Sequence, residues 1–169
     1  MSPSLKNPGL KIERAKEHLD ILSTEIVRFR KNNPFRVVDY EDSKNGLYIR
    51  QIEAPIIDPK LAIIAGDAVY SLRSALDHVA WQLALLTKAK PYSNTCFPII
   101  DEDTADKLRR FKTATKDIPY EAVEHIKDFQ PYNKRQSYKT DFLWMLDKLC
   151  NIDKHRVIPA EGTAVDFKV

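Results

Sequence analysis

An uninterrupted helical pattern between residues 59 and 88 constrains the fold of this chain more than any other feature. Asp58 stands where a helix N-cap belongs, and Pro59 follows at the first helical position, where its missing N–H does no harm. Apolar residues then recur in steps of three and four, which predicts one continuous apolar face. That face consists of Leu61, Ile64, Ala68, Leu72, Ala75, Val79, Leu83 and Leu86.

The opposite side of this helix is unlike an ordinary solvated face. It carries short polar and aromatic side chains and few charges: Asp67, Tyr70, Ser71, Ser74, His78 and Trp81. Solvated helical faces usually carry many charged residues in i,i+4 pairs. We therefore expect the helix to be covered on both sides, at the centre of a bundle or across a homodimer interface.

Composition places the chain among globular proteins. Its 169 residues, 43% hydrophobic and 30% charged, suit a single domain over residues 1–169 that buries a proper core. No apolar run approaches the roughly 20 residues that cross a bilayer, and the N-terminus lacks a hydrophobic signal core, so we expect a cytoplasmic protein without membrane contact. Cys96 and Cys150 are expected to be reduced. The net charge of +3 is compatible with nucleic acid without demanding it.

The remaining pattern is mostly helical. An amphipathic stripe over residues 9–32 predicts a first helix with Ile12, Ala15, Leu19, Leu22, Ile26 and Phe29 inward. Further helices are predicted over about residues 101–113, 119–129 and 138–156, with a basic loop at residues 130–139 between the last two.

One stretch changes to the two-residue period of β-strands. Residues 35–53 contain two such runs around Asn45-Gly46, the strongest short signal for a hairpin. The tail over residues 163–169 also alternates and is a candidate third strand. The predicted fold class is therefore mostly α, a helical bundle with a small β-hairpin insertion at residues 35–53 and a C-terminal strand.

Arg73 and His78 are the first candidates for chemistry. Histidine titrates near neutral pH, and arginine presents a planar cationic fork to phosphate oxygens. Those are the two roles that metal-free RNA cleavage needs: a base for the 2′-hydroxyl and a cation for the charge that grows on the phosphate. On one helix, however, the two side chains start about 140° apart. The alternative is structural, with Arg73 paired to Asp77 and His78 bonded to Ser74 or Tyr70.

Two other clusters are candidates. Asp153-Lys154-His155-Arg156 ends the last predicted helix, either as a second wall of the same pocket, with His155 and Arg156 reaching toward His78, or as a solvated helix end. The basic loop interleaves Tyr132, Lys134, Arg135 and Tyr138, residue types that stack unpaired bases and hold phosphates. Its alternative is an ordinary exposed loop.

A metal site is the third alternative. Asp67, Asp77, His78, Asp153 and His155 offer oxygen and nitrogen ligands, and helical bundles do build metal sites from facing helices. Neither Glu-x-x-His nor His-x-x-x-His spacing occurs, so no metal and no cofactor are predicted.

The stretch from Leu72 to His78 resembles the Arg-x4-6-His signature of the HEPN superfamily. The wider pattern resembles an uncharacterised group of bacterial helical proteins, through Gly66-Asp67, Leu72 to His78, Phe97-Pro98-Ile99, Gln130-Pro131-Tyr132 and Asp153-Lys154-His155-Arg156. These segments cover about residues 60–156.

The HEPN resemblance implies a helical bundle, usually a homodimer, and often a metal-independent endoribonuclease of toxin–antitoxin, phage-defence or RNA-processing systems. It implies Arg73 and His78 as the catalytic pair on RNA, with Asp77 or Ser74 orienting the imidazole. Asp153, His155 and Arg156 would be accessory, the product a 2′,3′-cyclic phosphate, and an antitoxin or other defence-system protein the partner. Many active members carry Asn, Asp or His directly after the arginine, where this chain has Ser74, and some members are inactive binders. A non-catalytic helical dimerisation or RNA-binding protein is therefore the alternative, and a metal-bound bundle enzyme the second.

Overall fold

The computed structural model of the chain describes residues 3–33, 35–42, 47–53, 55–156 and 158–159. Within these ranges it has five α-helices, one 3-10 helix and two strands. In chain order they are α1 (Lys6–Asn32), β1 (Arg36–Asp42), β2 (Leu47–Glu53), α2 (Pro59–Ala84), α3 (Ala105–Thr115), α4 (Tyr120–Asp128), the 3-10 helix (Pro131–Thr140) and α5 (Phe142–His155). The predicted mostly α fold with a small β-hairpin is confirmed, whereas the strand predicted at residues 163–169 lies outside the described residues.

Helices α1 and α2 form an antiparallel pair. At one end the Ser4 N–H donates to Gln82 Oε1 over 2.7 Å, and at the other Lys60 Nζ lies 3.2 Å from Glu25 Oε2. The predicted cap of α2 is confirmed, because the Asp58 carboxylate accepts the Lys60 N–H at 2.9 Å. The helix ends at Ala84, four residues before the predicted end, since the chain tightens there into i→i+3 hydrogen bonds.

Two sides of α2 are buried, but the second of them is not the polar side that the sequence pattern predicts to be covered. The side toward α1 buries Leu61, Ile64, Ala68, Ser71 and Ala75. The side toward the C-terminal half buries Ala62, Gly66, Ala80 and Ala84, and the last two join a core cluster with Phe97, Ile100, Phe111, Ile118 and Ile126. Small residues on this second side let neighbouring segments approach the helix closely.

Helix α1 begins at Lys6 rather than near residue 9. Pro8 lies in its first turn, where backbone N–H groups have no intrahelical partner, so the proline extends the helix without losing a hydrogen bond. The predicted inward stripe is divided. Ala15 is buried and Leu22 and Phe29 are half-buried, whereas Ile12, Leu19 and Ile26 are 40%, 48% and 39% exposed.

With Leu5, which is 68% exposed, these last three residues recur every seven positions along α1. We call this row of four exposed apolar side chains the α1 ridge: Leu5, Ile12, Leu19 and Ile26.

The C-terminal helices begin later than predicted because of their caps. Thr104 Oγ1 lies 3.5 Å from the Lys107 N–H it caps at the start of α3, and Asp101 and Glu102 instead hold the Lys107 ammonium at 2.6 and 2.9 Å. Asp141 caps α5, which begins at Phe142, four residues after the predicted start. Most of the loop predicted at residues 130–139 belongs to a 3-10 helix, Pro131–Thr140, that is interrupted at Arg135 (φ 48°, ψ −120°).

The hairpin pairs β1 and β2 antiparallel, from Arg36 opposite Glu53 to Asp42 opposite Leu47. Arg50 spans the strands to the Asp39 carboxylate with hydrogen bonds of 2.8 and 2.9 Å. The predicted Asn45-Gly46 turn lies outside the described residues. None of the described helices is long and apolar enough to cross a membrane.

Candidate functional site

Arg73 points toward the C-terminal half of the molecule, where its guanidinium is bonded. Its Nη1 donates to Asp77 Oδ1 at 2.7 Å, and its Nη2 donates to the Phe97 carbonyl at 3.0 Å. The same Asp77 oxygen accepts the Phe97 N–H at 3.0 Å. The i,i+4 pair therefore binds both backbone groups of one residue, and only 16% of the Arg73 side chain is exposed.

A second carboxylate lies beside this pair. Asp147 Oδ1 of α5 is 3.8 Å from Arg73 Nε, so the guanidinium joins α2, the Phe97 backbone and α5. Burial raises the pKa of Asp147, and the positive charge of Arg73 only partly opposes this. Burial also raises the pKa of the Cys96 thiol, to which the Asp77 charge adds, so this cysteine is not an activated nucleophile.

His78 lies on a different side of α2. Its side chain is half-buried, and no hydrogen bond connects it with Ser74, Tyr70 or any other described residue. The helix turns about 140° between positions 73 and 78, and the contacts of Arg73 turn its side chain away from the imidazole. The structure therefore does not bring the predicted catalytic pair together within one chain.

The residues around His78 form what we call the open face of α2. Ile63 and Tyr70 are 55% and 56% exposed, Asp67 is exposed, and Ser74, His78 and Trp81 are half-buried. These six positions lie within about 80° of the helix circumference. The polar side of α2, which was expected to be covered, is therefore left partly exposed by the described residues of one chain.

The predicted accessory residues lie at the other end of α2. Asp153 packs directly on Gly66, where an added Cβ would come within 2.7 Å of the Asp153 Cγ. Gly66 precedes His78 by about 18 Å of helix. His155 and Arg156 are exposed at the end of α5. The structure does not bring these three residues to His78.

The predicted RNA-binding residues are largely engaged in the fold. Tyr132 packs against the core cluster, and Lys134 Nζ lies 2.9 Å from the Asp141 carboxylate. The Tyr138 ring meets Trp144 edge-on at 5.8 Å. Arg135 is exposed and has a positive φ that side-chain-bearing residues rarely adopt. Lys134 and Arg135 are the exposed residues of these four, whereas Tyr132 and Tyr138 are half-buried.

No group of three or more His, Cys, Asp or Glu side chains within the described ranges is arranged to hold a metal ion. The five ligands considered from sequence are dispersed, since Asp77 binds Arg73 and Phe97 while Asp153 packs on Gly66. The metal-bound alternative thus has no ligand set in this part of the chain.

An apolar cavity of about 750 Å³ lies between α1 and the start of α2. Leu22, Ile26 and Phe29 line it from one helix, and Leu61 and Ala65 line it from the other. It contains none of the candidate catalytic residues.

From the sequence alone, Gln130 is only part of the Gln130-Pro131-Tyr132 segment and has no role of its own, whereas its side chain is 1% exposed and makes three hydrogen bonds. Its amide donates to the carbonyls of Pro98 and Ile126 at 3.0 Å each and accepts the Ile100 N–H at 2.9 Å. A glutamine between a predicted helix and a proline is an available signal, but the sequence does not indicate which backbone groups it binds.

The segments that carry the resemblance contact one another. Gly66 meets Asp153, Arg73 and Asp77 hold Phe97, and Gln130 holds the residues that follow Phe97. Contacts within the fold therefore explain much of the sequence pattern on which the resemblance rests.

Comparison of the chain with protein-family models, curated proteins and solved structures finds no match. The HEPN assignment accordingly stays a prediction from the sequence.

Proposed function

We propose that this chain is a non-catalytic helical assembly protein that forms a homodimer. The contacts of Arg73 support this function over the others. Its guanidinium is bonded to Asp77 and Phe97 and lies beside Asp147, so it serves the fold rather than a phosphate. A catalytic arginine needs free donors on the same side as the general base.

Two exposed surfaces support self-assembly. The α1 ridge exposes four large apolar side chains along one side of the helix, and exposed apolar surface often marks a site of protein interaction. The open face of α2 combines Tyr70 and Trp81 with few charges, and aromatic residues are enriched in protein interfaces.

Sedimentation equilibrium of the full chain tests assembly. We expect a dimer at protein concentrations of about 10 μM, with a dissociation constant at or below that value. A monomer at these concentrations would contradict the proposal.

A stability measurement tests the role of Arg73. Because Arg73→Ala leaves the Phe97 carbonyl without its donor and the Asp77 carboxylate without its cationic partner, we expect it to lower the free energy of unfolding by about 2 kcal/mol or more. Arg14→Ala is the matched control: Arg14 pairs with Glu17 at 2.9 Å, but the two side chains are 59% and 60% exposed. Its loss should cost less than about 0.5 kcal/mol. Equal losses of unfolding free energy for the two variants in urea titrations would contradict the structural role of Arg73.

A second candidate function is the metal-independent endoribonuclease of HEPN type, acting as a toxin or phage-defence effector. The observation that favours it is His78, which is half-buried and has no hydrogen-bond partner among the described residues. An imidazole in that state is available as a general base, and a second copy of the chain would supply the cation. An antitoxin or another defence-system protein is then the expected partner.

Incubation of single-stranded RNA with the protein in EDTA separates the two functions. Under the assembly proposal, the wild-type protein either binds the RNA without cleaving it or does not bind the RNA. Cleavage to 2′,3′-cyclic phosphate ends that His78→Ala abolishes would instead establish the nuclease. Cleavage that survives this substitution would exclude His78 from the mechanism.

A further inference from the structure

Within the described residues of one chain, the open face of α2 is only partly covered, with Lys11 Nζ of α1 lying 6.0 Å from the centroid of the Tyr70 ring. It consists of Ile63, Asp67, Tyr70, Ser74, His78 and Trp81, and it contains no lysine, arginine or glutamate. One carboxylate, on Asp67, and one imidazole, on His78, are its ionisable groups apart from the Tyr70 phenol. A face with this composition, containing exposed aromatic and aliphatic side chains, matches protein interfaces better than solvated helices.

The order of these six residues along α2 is self-complementary. Ile63 and Trp81 stand nine residues on either side of Leu72, and Tyr70 and Ser74 stand two residues on either side of it. Asp67 lies five residues before Leu72, and His78 lies six residues after it. When two copies of such a helix meet antiparallel about a two-fold axis near Leu72, Ile63 is level with Trp81 and Tyr70 with Ser74. Asp67 then lies opposite His78 with an offset of one residue, about 1.5 Å along the helix.

We propose that the open face binds the open face of a second copy of this chain, with the two α2 helices antiparallel and Asp67 of each protomer paired with His78 of the other. This inference rests on the proposed homodimer and specifies its interface. The pairing is isologous, so it closes as a dimer and does not propagate into a filament. Each Ile63 then packs against Trp81 of the opposite helix, and each Tyr70 against Ser74.

Charge selects the antiparallel direction. In a parallel pair, Asp67 would face Asp67 and His78 would face His78, which places like groups opposite one another. In the antiparallel pair both contacts join an acceptor to a donor, and the two contacts are about 16 Å apart along the helix. The same arrangement gives His78 the hydrogen-bond partner that it lacks among the described residues of one chain.

A charge-exchange cycle tests this pairing in the full chain. We expect Asp67→His and His78→Asp each to weaken the dimer at least tenfold, because each puts like groups opposite one another twice per dimer. The double variant Asp67→His/His78→Asp restores both contacts and should return the dissociation constant to within about threefold of wild type. Circular dichroism of each variant confirms that it is folded, since both positions lie on the open face.

Cross-linking tests the direction independently. In a background with Cys96→Ser and Cys150→Ala, a mixture of Asp67→Cys and His78→Cys chains should form a mixed disulfide, and neither variant alone should cross-link. Disulfide between two Asp67→Cys chains would show a parallel pair and overturn the proposal.

The outcomes separate this inference from the assembly proposal. A monomeric wild type removes both. A dimer whose dissociation constant is unchanged by the single variants, or not restored by the double variant, removes the α2 pairing and leaves the assembly proposal standing. Loss of that dimer in Leu19→Glu would then place the interface on the α1 ridge.

Discussion

At the scale of single residues, Gly66 is the position at which the Asp153 side chain of α5 packs directly against α2. A Cβ there would overlap the Asp153 carboxylate, so glycine is needed for space rather than for its backbone conformation. The sequence shows a glycine in the middle of a predicted helix, which usually costs about 1 kcal/mol relative to alanine. What the sequence does not show is that a side chain 87 positions later occupies the space.

We therefore expect Gly66→Ala to destabilise the protein by about 1–3 kcal/mol, in spite of the higher helix propensity of alanine. In an Asp153→Ala background the overlap is absent, so the same substitution should be neutral or stabilising by up to about 1 kcal/mol. Gly9→Ala is the control, because nothing lies within 4 Å of a Cβ at Gly9 in α1. Chemical denaturation of the four variants measures the effect, and additive changes at residues 66 and 153 would contradict the contact.

The same scale shows why the role of Arg73 was only partly predictable. The spacing of Arg73 and His78 allowed either a shared phosphate or an Arg73–Asp77 pair. Local geometry favours the pair, but the decisive contact is with the Phe97 backbone, 24 residues away. Periodicity along one helix carries no information about such a contact.

At the scale of elements, the caps determine where helices begin. Asp58 was identified as a cap because Pro59 follows it, whereas Asp141 was missed because the helical pattern continued back to Tyr138. Burial acts to raise the pKa of Asp141. Hydrogen bonds from Lys134 and from the N–H groups of Leu143 and Trp144 outweigh it, so the pKa is lowered overall.

This lowered pKa predicts a loss of stability in acid. A carboxylate with a depressed pKa in the folded state stabilises the protein above its unfolded pKa, and this contribution is lost as the pH falls through the folded value. Asp141→Asn keeps a capping oxygen but cannot titrate. We expect its unfolding free energy to fall less than that of the wild type below about pH 4. Asp103→Asn, at an exposed carboxylate with no hydrogen bond among the described residues, should follow the wild-type curve.

At the scale of the whole molecule, the two exposed surfaces have different consequences. The amphipathic stripe of α1 was predicted to point inward as a whole, but α2 covers only one side of it, because a single antiparallel partner shields a narrow strip of a helix. The α1 ridge is the uncovered remainder. Sequence periodicity identified the apolar residues correctly and could not indicate how wide the covering neighbour is.

We expect Leu19→Glu to reduce binding of a hydrophobic dye, because it places a charge in the middle of the ridge. The dimer constant itself should change by less than about threefold if the open face of α2 forms the interface. Val27→Glu is the control: Val27 is 66% exposed but lies outside the ridge. Dye fluorescence measures the binding and sedimentation equilibrium measures the dimer constant, and equal results for the two variants would show that the ridge has no special role.

The segment from Phe97 to Ile100 has a consequence for cooperativity. It has no regular secondary structure, yet its amides and carbonyls are bonded by side chains from α2 and by Gln130. Those hydrogen bonds form only when both halves of the chain are folded, α2 in the first half and Gln130 in the second. Neither half can therefore unfold alone without breaking them. Heating should therefore give one transition for both halves, and deuterium should enter the Phe97 and Ile100 amides only through global opening.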